Sequence, residues 1–185
     1  MRIVGFAASN SERSINGKLV GHILHCLSEK FEVQQLDIKD YETDLYSPYR
    51  ERFLGIPEKV KLFKKEIDEA QGLVISFAEH NGAYTAAYKN LYDWLSLIDR
   101  DVWQGKPLFL AAASPGKRGG QNVLHLASSL YKRSESKIIE YSLPSFNTNF
   151  SEAGITHAFL RDQLQWKINL FQSWFHAADL QAKET

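Results

Sequence analysis

Ser9, Ser11 and Ser14 place three hydroxyls within the polar stretch Ser9-Asn10-Ser11-Glu12-Arg13-Ser14. An apolar run, Ile3 to Ala8, precedes it; Ile15, Leu19, Ile23 and Leu27 follow at the spacing of one helix face. A loop that joins a strand to a helix start aims unpaired main-chain N–H groups and the positive end of the helix dipole at one point. The chemistry this suits is anion binding, here of a phosphate. The same residue types also cap helices and form turns, and both uses stay open on this stretch alone.

Two further polar stretches carry comparable groups. Glu79-His80-Asn81-Gly82 offers a carboxylate, an imidazole, a carboxamide and a glycine that permits close backbone approach. Ser114-Pro115-Gly116-Lys117-Arg118-Gly119-Gly120 offers a hydroxyl and three glycines, which allow unusual backbone angles and leave little bulk against a planar ligand. Elsewhere the residues carry blander readings. His22, His25 and Cys26 fall together on the first helix, where packing against a sheet explains them better than metal ligation. Lys117 and Arg118 suit a dinucleotide phosphate or a solvated loop, and Asp93 and Trp94 read as helix packing and capping partners.

The elements that must position these groups alternate. Apolar runs at 3–8, 72–77 and 108–113 and more polar ones at 31–36 and 137–143 read as five strands. Helical periodicity runs from Ile15, over 58–70, over 84–98 (Tyr88, Leu91, Leu95 and Ile98 on one face), over 121–131 and over 155–178. Residues 37–57, with Pro48, Gly55 and Pro57, read as a long irregular loop. Strands alternating with helices predict a parallel sheet covered on both faces, an α/β three-layer sandwich. Placing the apolar strands centrally gives the order 2-1-3-4-5 of a five-stranded flavodoxin-like sheet. All three polar loops then fall on the carboxyl edge, around the switch point where such sheets bind ligands. That combination points to a nucleotide or flavin.

Composition narrows the field. The 185 residues suit one domain over 1–185, with 44% hydrophobic and 24% charged residues. Lys plus Arg and Asp plus Glu both number 22, which leaves no broad basic field for nucleic acid. It also leaves no acidic surface of the kind that steers small electron carriers. One cysteine, Cys26, excludes an internal disulfide, and no run has the length of a membrane span or a signal-peptide core. The expectation is a cytoplasmic protein.

These residues resemble the NAD(P)H-dependent FMN reductase family, the flavodoxin-like group that includes quinone, chromate and azo-dye reductases. The family's first loop carries a Ser and then a Ser-x-Asn triplet, matched by Ser9, Ser14 and Asn16. Its second loop reads Pro-Glu-Tyr-Asn-Gly before a Lys-Asn-x-x-Asp-Trp-Leu-Ser helix. This chain has Ala78-Glu79-His80-Asn81-Gly82 and then Lys89-Asn90-Leu91-Tyr92-Asp93-Trp94-Leu95-Ser96. Ser114, Gly116, Gly119 and Gly120 match the third loop, so the resemblance runs over about residues 1–145. Three positions depart from the pattern: Ser11 where an Arg is usual, Ala78 for Pro and His80 for Tyr.

The resemblance implies that Ser9, Ser11, Ser14, Ile15 and Asn16 hold the FMN phosphate. It implies that Phe77, Ala78, Glu79, His80, Asn81 and Gly82 contact the isoalloxazine ring, with Ser114, Gly116 and Gly119 closing the other side. The activity expected is transfer of electrons from NADPH or NADH through FMN to a quinone, flavin or similar small acceptor. No catalytic residue is required, because the flavin carries the chemistry. His80 is the side chain to watch for proton donation, with a loop hydrogen bond as its alternative role. The resemblance also implies a homodimer or homotetramer, to which the wide apolar arc of the last helix (Phe159, Leu160, Leu164, Trp166, Phe171, Trp174, Phe175) can contribute. Two rival readings are a flavodoxin-type electron carrier and a non-enzymatic module with a decayed flavin site.

Overall fold

The computed structural model describes residues 1–132 and 135–181. Its centre is a five-stranded parallel sheet of β1 (Arg2–Ala8), β2 (Glu32–Leu36), β3 (Gly72–Phe77), β4 (Leu108–Ala113) and β5 (Ile138–Leu143). The order is 2-1-3-4-5, as the distribution of apolar and polar strands predicts. Every residue of β3 and β4 is buried, whereas edge strand β2 carries four of its five residues at least partly exposed.

Alternation along each strand feeds two cores. From β1 and β4, Val4, Phe6, Ala8, Leu108, Leu110 and Ala112 enter one. Ile3, Phe109, Ala111 and Ala113 enter the other. The first core is closed by α3 (Glu58–Glu69), α4 (Ala86–Ile98) and α5 (Gln121–Tyr131). The second is closed by α1 (Ile15–Leu27) and α7 (Ala158–Gln181), through Leu19, Ile23, Leu164, Ile168 and Phe171 among others. Each such aliphatic or aromatic side chain contributes about 1.5–3 kcal/mol by leaving water.

Three stretches differ from the sequence reading. Within the expected loop 37–57, Ile38–Tyr41 forms a short 3-10 turn and Pro48–Leu54 forms α2. Both begin at local caps: Asp37 accepts from the Lys39 N–H, and Ser47 accepts from the Arg50 N–H with Pro48 at the first helical position. Neither has the buried stripe that periodicity detects, and α2 buries no residue at all. After β5, Phe146–Asn149 forms α6, and a small antiparallel hairpin pairs β6 (Phe150–Ser151) with β7 (Gly154–Ile155). Ile155 therefore belongs to that hairpin, and the last helix starts at Ala158.

Candidate functional site

The loops after β1, β3 and β4 lie at the carboxyl edge of adjacent parallel strands. In the first, Ser14 is the N-cap of α1, its Oγ accepting from the Gly17 N–H at 3.1 Å. The Lys18 N–H is taken by the Ser14 carbonyl. That leaves the amides of Ile15 and Asn16 with no acceptor among the described residues. Ser9 is buried and its Oγ accepts from the Ser11 N–H at 3.3 Å, so the turn curls over it. A groove of about 560 Å³ opens beside this turn, lined in part by Ser9, Ser11, Arg13, Ser14 and Lys18. Free amides, hydroxyls and two cations at the start of a thirteen-residue helix make a donor set for an anion.

The Asn16 side chain has another occupation. Its Oδ1 accepts from Ser76 Oγ and from the Ala113 N–H, both at 2.8 Å, and its Nδ2 donates to the Ala113 carbonyl at 3.2 Å. It is a buried tie between α1 and the ends of β3 and β4, and offers a ligand its main-chain N–H alone. The family-like Ser-x-Asn triplet thus combines a cap with a strut.

In the second loop, Asn81 (φ 53°) and Gly82 (φ 78°) form the tip of a tight hairpin. His80 and Ala83 exchange both main-chain bonds across it at 3.0 Å. Two successive positive φ angles explain the Asn-Gly pair without reference to a ligand, a hairpin signal already present in the sequence. A Cβ on Gly82 would meet nothing within 4 Å, so the tip borders open space. Glu79 turns back into the protein: its Oε2 accepts from the Val123 N–H at 3.1 Å and its Oε1 from Asn122 Nδ2 at 3.2 Å. Thr85 locks the other end, donating to the Ala8 carbonyl at 3.1 Å and accepting from the Tyr88 N–H at 3.2 Å as the α4 N-cap. Beneath the hairpin lie Phe77, Tyr84 and Tyr88, and burial holds the phenols of Tyr84 and Tyr88 protonated by raising their pKa.

The third loop divides its glycines between two uses. Gly119 and Gly120 take positive φ (59° and 74°), but the space their missing Cβ leaves is filled by protein. A Cβ on Gly119 would lie 2.3 Å from Ser142 Oγ, and one on Gly120 would lie 2.9 Å from the Ala112 Cβ. Gly116 is different, since a Cβ there would have only Ser114 Oγ nearby, at 3.8 Å. Ser114 Oγ donates to the Gly116 carbonyl at 3.2 Å. Of the glycines in the second and third loops, Gly82 and Gly116 are therefore the ones where bulk is missing in front of open space. A planar ring between the second and third loops, with its phosphate on the first, fits this arrangement.

The Lys89–Ser96 helix serves another purpose than contact with that space. Asn90 accepts from the Tyr46 N–H at 2.8 Å and donates to the Thr43 and Asp44 carbonyls, while the Trp94 indole N–H donates to the Asp44 carbonyl at 3.0 Å. The motif fastens the 43–47 segment to α4. Lys89 pairs with Asp93 at 2.6 Å on the exposed side. His22 is wedged between Phe150 and Gly154, and burial lowers its pKa, with a smaller push from His25. Burial raises the pKa of the Cys26 thiol, with Glu29 adding to it, so the thiol is not poised as a nucleophile. Among the described residues no group of three or more His, Cys, Asp or Glu side chains is placed to hold a metal, and no helix is long and apolar enough to cross a membrane.

Comparison with known proteins agrees with the geometry. The chain is 25% identical over 122 residues to an NAD(P)H-dependent FMN reductase of Pseudomonas aeruginosa, covering 64% of this chain and 63% of that protein. It is 28% identical over 124 residues to a quinone reductase of Escherichia coli, covering 65% and 63%. The matched region thus spans just under two thirds of each reductase. A solved structure of the flavoenzyme NAD(P)H:(acceptor) oxidoreductase FerB from Paracoccus denitrificans superposes with a TM-score of 0.74 at 20% identity, over 95% of this chain and 97% of that one. This last likeness establishes the flavodoxin-like fold. The description of the NADPH-dependent FMN reductase family matches residues 1–146, well over half of the sequence, and the chain belongs to that family.

Proposed function

We propose that this protein is an FMN-dependent NAD(P)H oxidoreductase, acting as one domain over residues 1–185, with a quinone, a flavin or a similar small molecule as acceptor. The observation that carries the reading is the pair of unpaired amides, Ile15 and Asn16, at the head of α1. They share the sheet edge with the open faces of Gly82 and Gly116. When bound there, FMN supplies the redox chemistry, taking two electrons from the nicotinamide and yielding them to the acceptor.

The chain's own residues bind and orient. The amides of Ile15 and Asn16, with the hydroxyls of Ser9, Ser11 and Ser14, hold the phosphate. Ala78, His80, Asn81 and Gly82 wall one side of the ring, and Ser114 and Gly116 the other, whereas Phe77 and Gly119, expected at the ring from the sequence, are buried in packing behind these walls. Glu79 works through its cap on α5, which sets the distance between these two walls. No side chain is required as acid or base. The single cysteine favours a reducing compartment, the cytoplasm. We also infer that the protein acts as an oligomer of identical chains.

The test is a visible spectrum of protein mixed with FMN and freed of excess, before and after anaerobic NADPH or NADH. A retained flavin spectrum that bleaches within seconds supports the reading. Retained flavin that neither nucleotide bleaches turns the assignment to a flavodoxin-type carrier, and no retained flavin removes it.

A further inference from the structure

We propose that the groove between α5, the outer edge of β5 and α7 takes the adenosine diphosphate half of the nicotinamide donor, and that Glu140 on its floor selects NADH over NADPH. The proposal rests on the oxidoreductase reading above, whose donor it specifies. The groove encloses about 940 Å³ and is bordered at one end by Gly82 and Pro144. Gly82 is the hairpin tip whose open face also borders the candidate ring site, so the two spaces are continuous there. From that end the groove follows α5 from Gln121 to Ser129 and α7 from Phe159 to Lys167. Eight residues of helix cover about 12 Å, so a donor whose nicotinamide lies at the ring has room to extend its other half along this path. Strand β5 makes the floor. Alternation sends Ile139, Tyr141 and Leu143 into the second core and leaves Glu140 and Ser142 lining the groove.

The two floor residues differ in what is left to offer. Ser142 Oγ is spent on the Gly119 carbonyl at 3.0 Å. Glu140 stands beside Leu110 of β4, half-buried, and among the described residues its carboxylate has neither a hydrogen bond nor an ion pair. An unpaired carboxylate accepts from both hydroxyls of a ribose diol, and it repels a phosphate placed on the 2′ oxygen. The nearby cation does not cancel that charge. Lys167 Nζ lies 5.8 Å from the Trp166 ring centre and makes no ion pair with Glu140. The walls suit the rest of the ligand: Phe159 is 68% exposed and Leu126 is 41% exposed, flat apolar surface for a purine, while His125 and Lys167 are donors for a diphosphate. A charge on an edge strand also deters pairing with another strand, and the experiment separates that role from selection of the donor.

The experiment is calorimetric titration of the full chain, flavin-free and FMN-loaded, with ADP-ribose and with its 2′-phosphate derivative. ADP-ribose is expected to bind both forms, and at least about tenfold more tightly than the 2′-phosphate derivative. Glu140→Gln keeps the size and one acceptor oxygen and removes the charge, and circular dichroism checks that it folds. It is expected to reduce the discrimination to below about threefold, and to move the ratio of kcat/KM for NADH and NADPH in the loaded protein the same way. Equal binding of the two ligands, or tighter binding of the 2′-phosphate, overturns the proposal. Discrimination that survives Glu140→Gln overturns the role of Glu140 and leaves it as a guard on the edge strand. ADP-ribose that binds only flavin-free protein, and is displaced by FMN, sits on the first loop and overturns the groove. No binding of ADP-ribose at millimolar concentration, with flavin that NADH still bleaches, overturns the groove and leaves the oxidoreductase reading standing. Discriminating binding by a chain that retains no flavin does the reverse, removing that reading while the groove keeps its ligand.

Discussion

The Glu79 carboxylate accepts from the Val123 main-chain N–H at 3.1 Å, binding the loop after β3 to the first turn of α5. Glu79 and Val123 are far apart in sequence, and together they fix the spacing of two of the three loops that frame the candidate site. A carboxylate at a helix N-terminus also meets the positive end of its dipole. Glu79→Ala is expected to cost about 1–2 kcal/mol, and Glu79→Gln, which keeps one acceptor, about half of that. Urea denaturation of flavin-free protein measures both, so the loss reads as a structural tie whatever ligand is bound.

Asn16 is expected to behave as a strut first. Asn16→Ala leaves Ser76 Oγ and the Ala113 N–H unsatisfied in the interior, at a cost of about 3 kcal/mol. The urea midpoint of protein without flavin falls accordingly. An unchanged midpoint, with only FMN binding impaired, would show that the side chain serves the ligand instead.

Gly119 and Gly116 should separate packing from binding. Gly119→Ala places a Cβ against Ser142 Oγ and 2.8 Å from the Pro144 nitrogen at positive φ; it is expected to lose more than about 2 kcal/mol. Gly116→Ala is expected to change stability by less than about 0.5 kcal/mol. It should nevertheless raise the FMN dissociation constant, measured by flavin fluorescence quenching.

Asn90→Ala should free the 43–47 segment at a cost of about 1 kcal/mol. Limited proteolysis is the sensitive readout, with new cleavage between residues 43 and 54 while the rest of the chain stays resistant.

Acid stability should depend on His22. Burial lowers its pKa in the folded state, so the unfolded chain binds more protons as pH falls below the ordinary value of about 6.5. The stability that the neutral ring contributes is complete above that value and is lost as pH drops toward the folded pKa. His22→Gln is expected to flatten this part of a melting-temperature profile between pH 7 and 5. A profile of unchanged slope would assign the acid sensitivity elsewhere.

Much of this protein was decided locally and can be read in the chain. Continuous apolar runs at β1, β3 and β4 and a more polar β2 set the strand order, because central strands are buried on both faces. The serines before α1 and the Asn81-Gly82 pair declare a capped helix and a hairpin through short-range sterics and hydrogen bonding. Tertiary structure decided how those residues divide their work. Asn16 and Glu79 look like ligand groups in sequence, yet their side chains are spent on Ala113, Ser76 and Val123, partners that only the crossover connections bring within 3.2 Å. Gly119 and Gly116 look alike in sequence; one is filled by Ser142 and Pro144, the other faces open space. The fate of α2 was equally hidden, since a short helix held by its own caps, after a segment tied down by Asn90 and Trp94, leaves no hydrophobic period to read. Periodicity reports which face is buried, and it is silent where a segment is held by hydrogen bonds from residues distant in the chain.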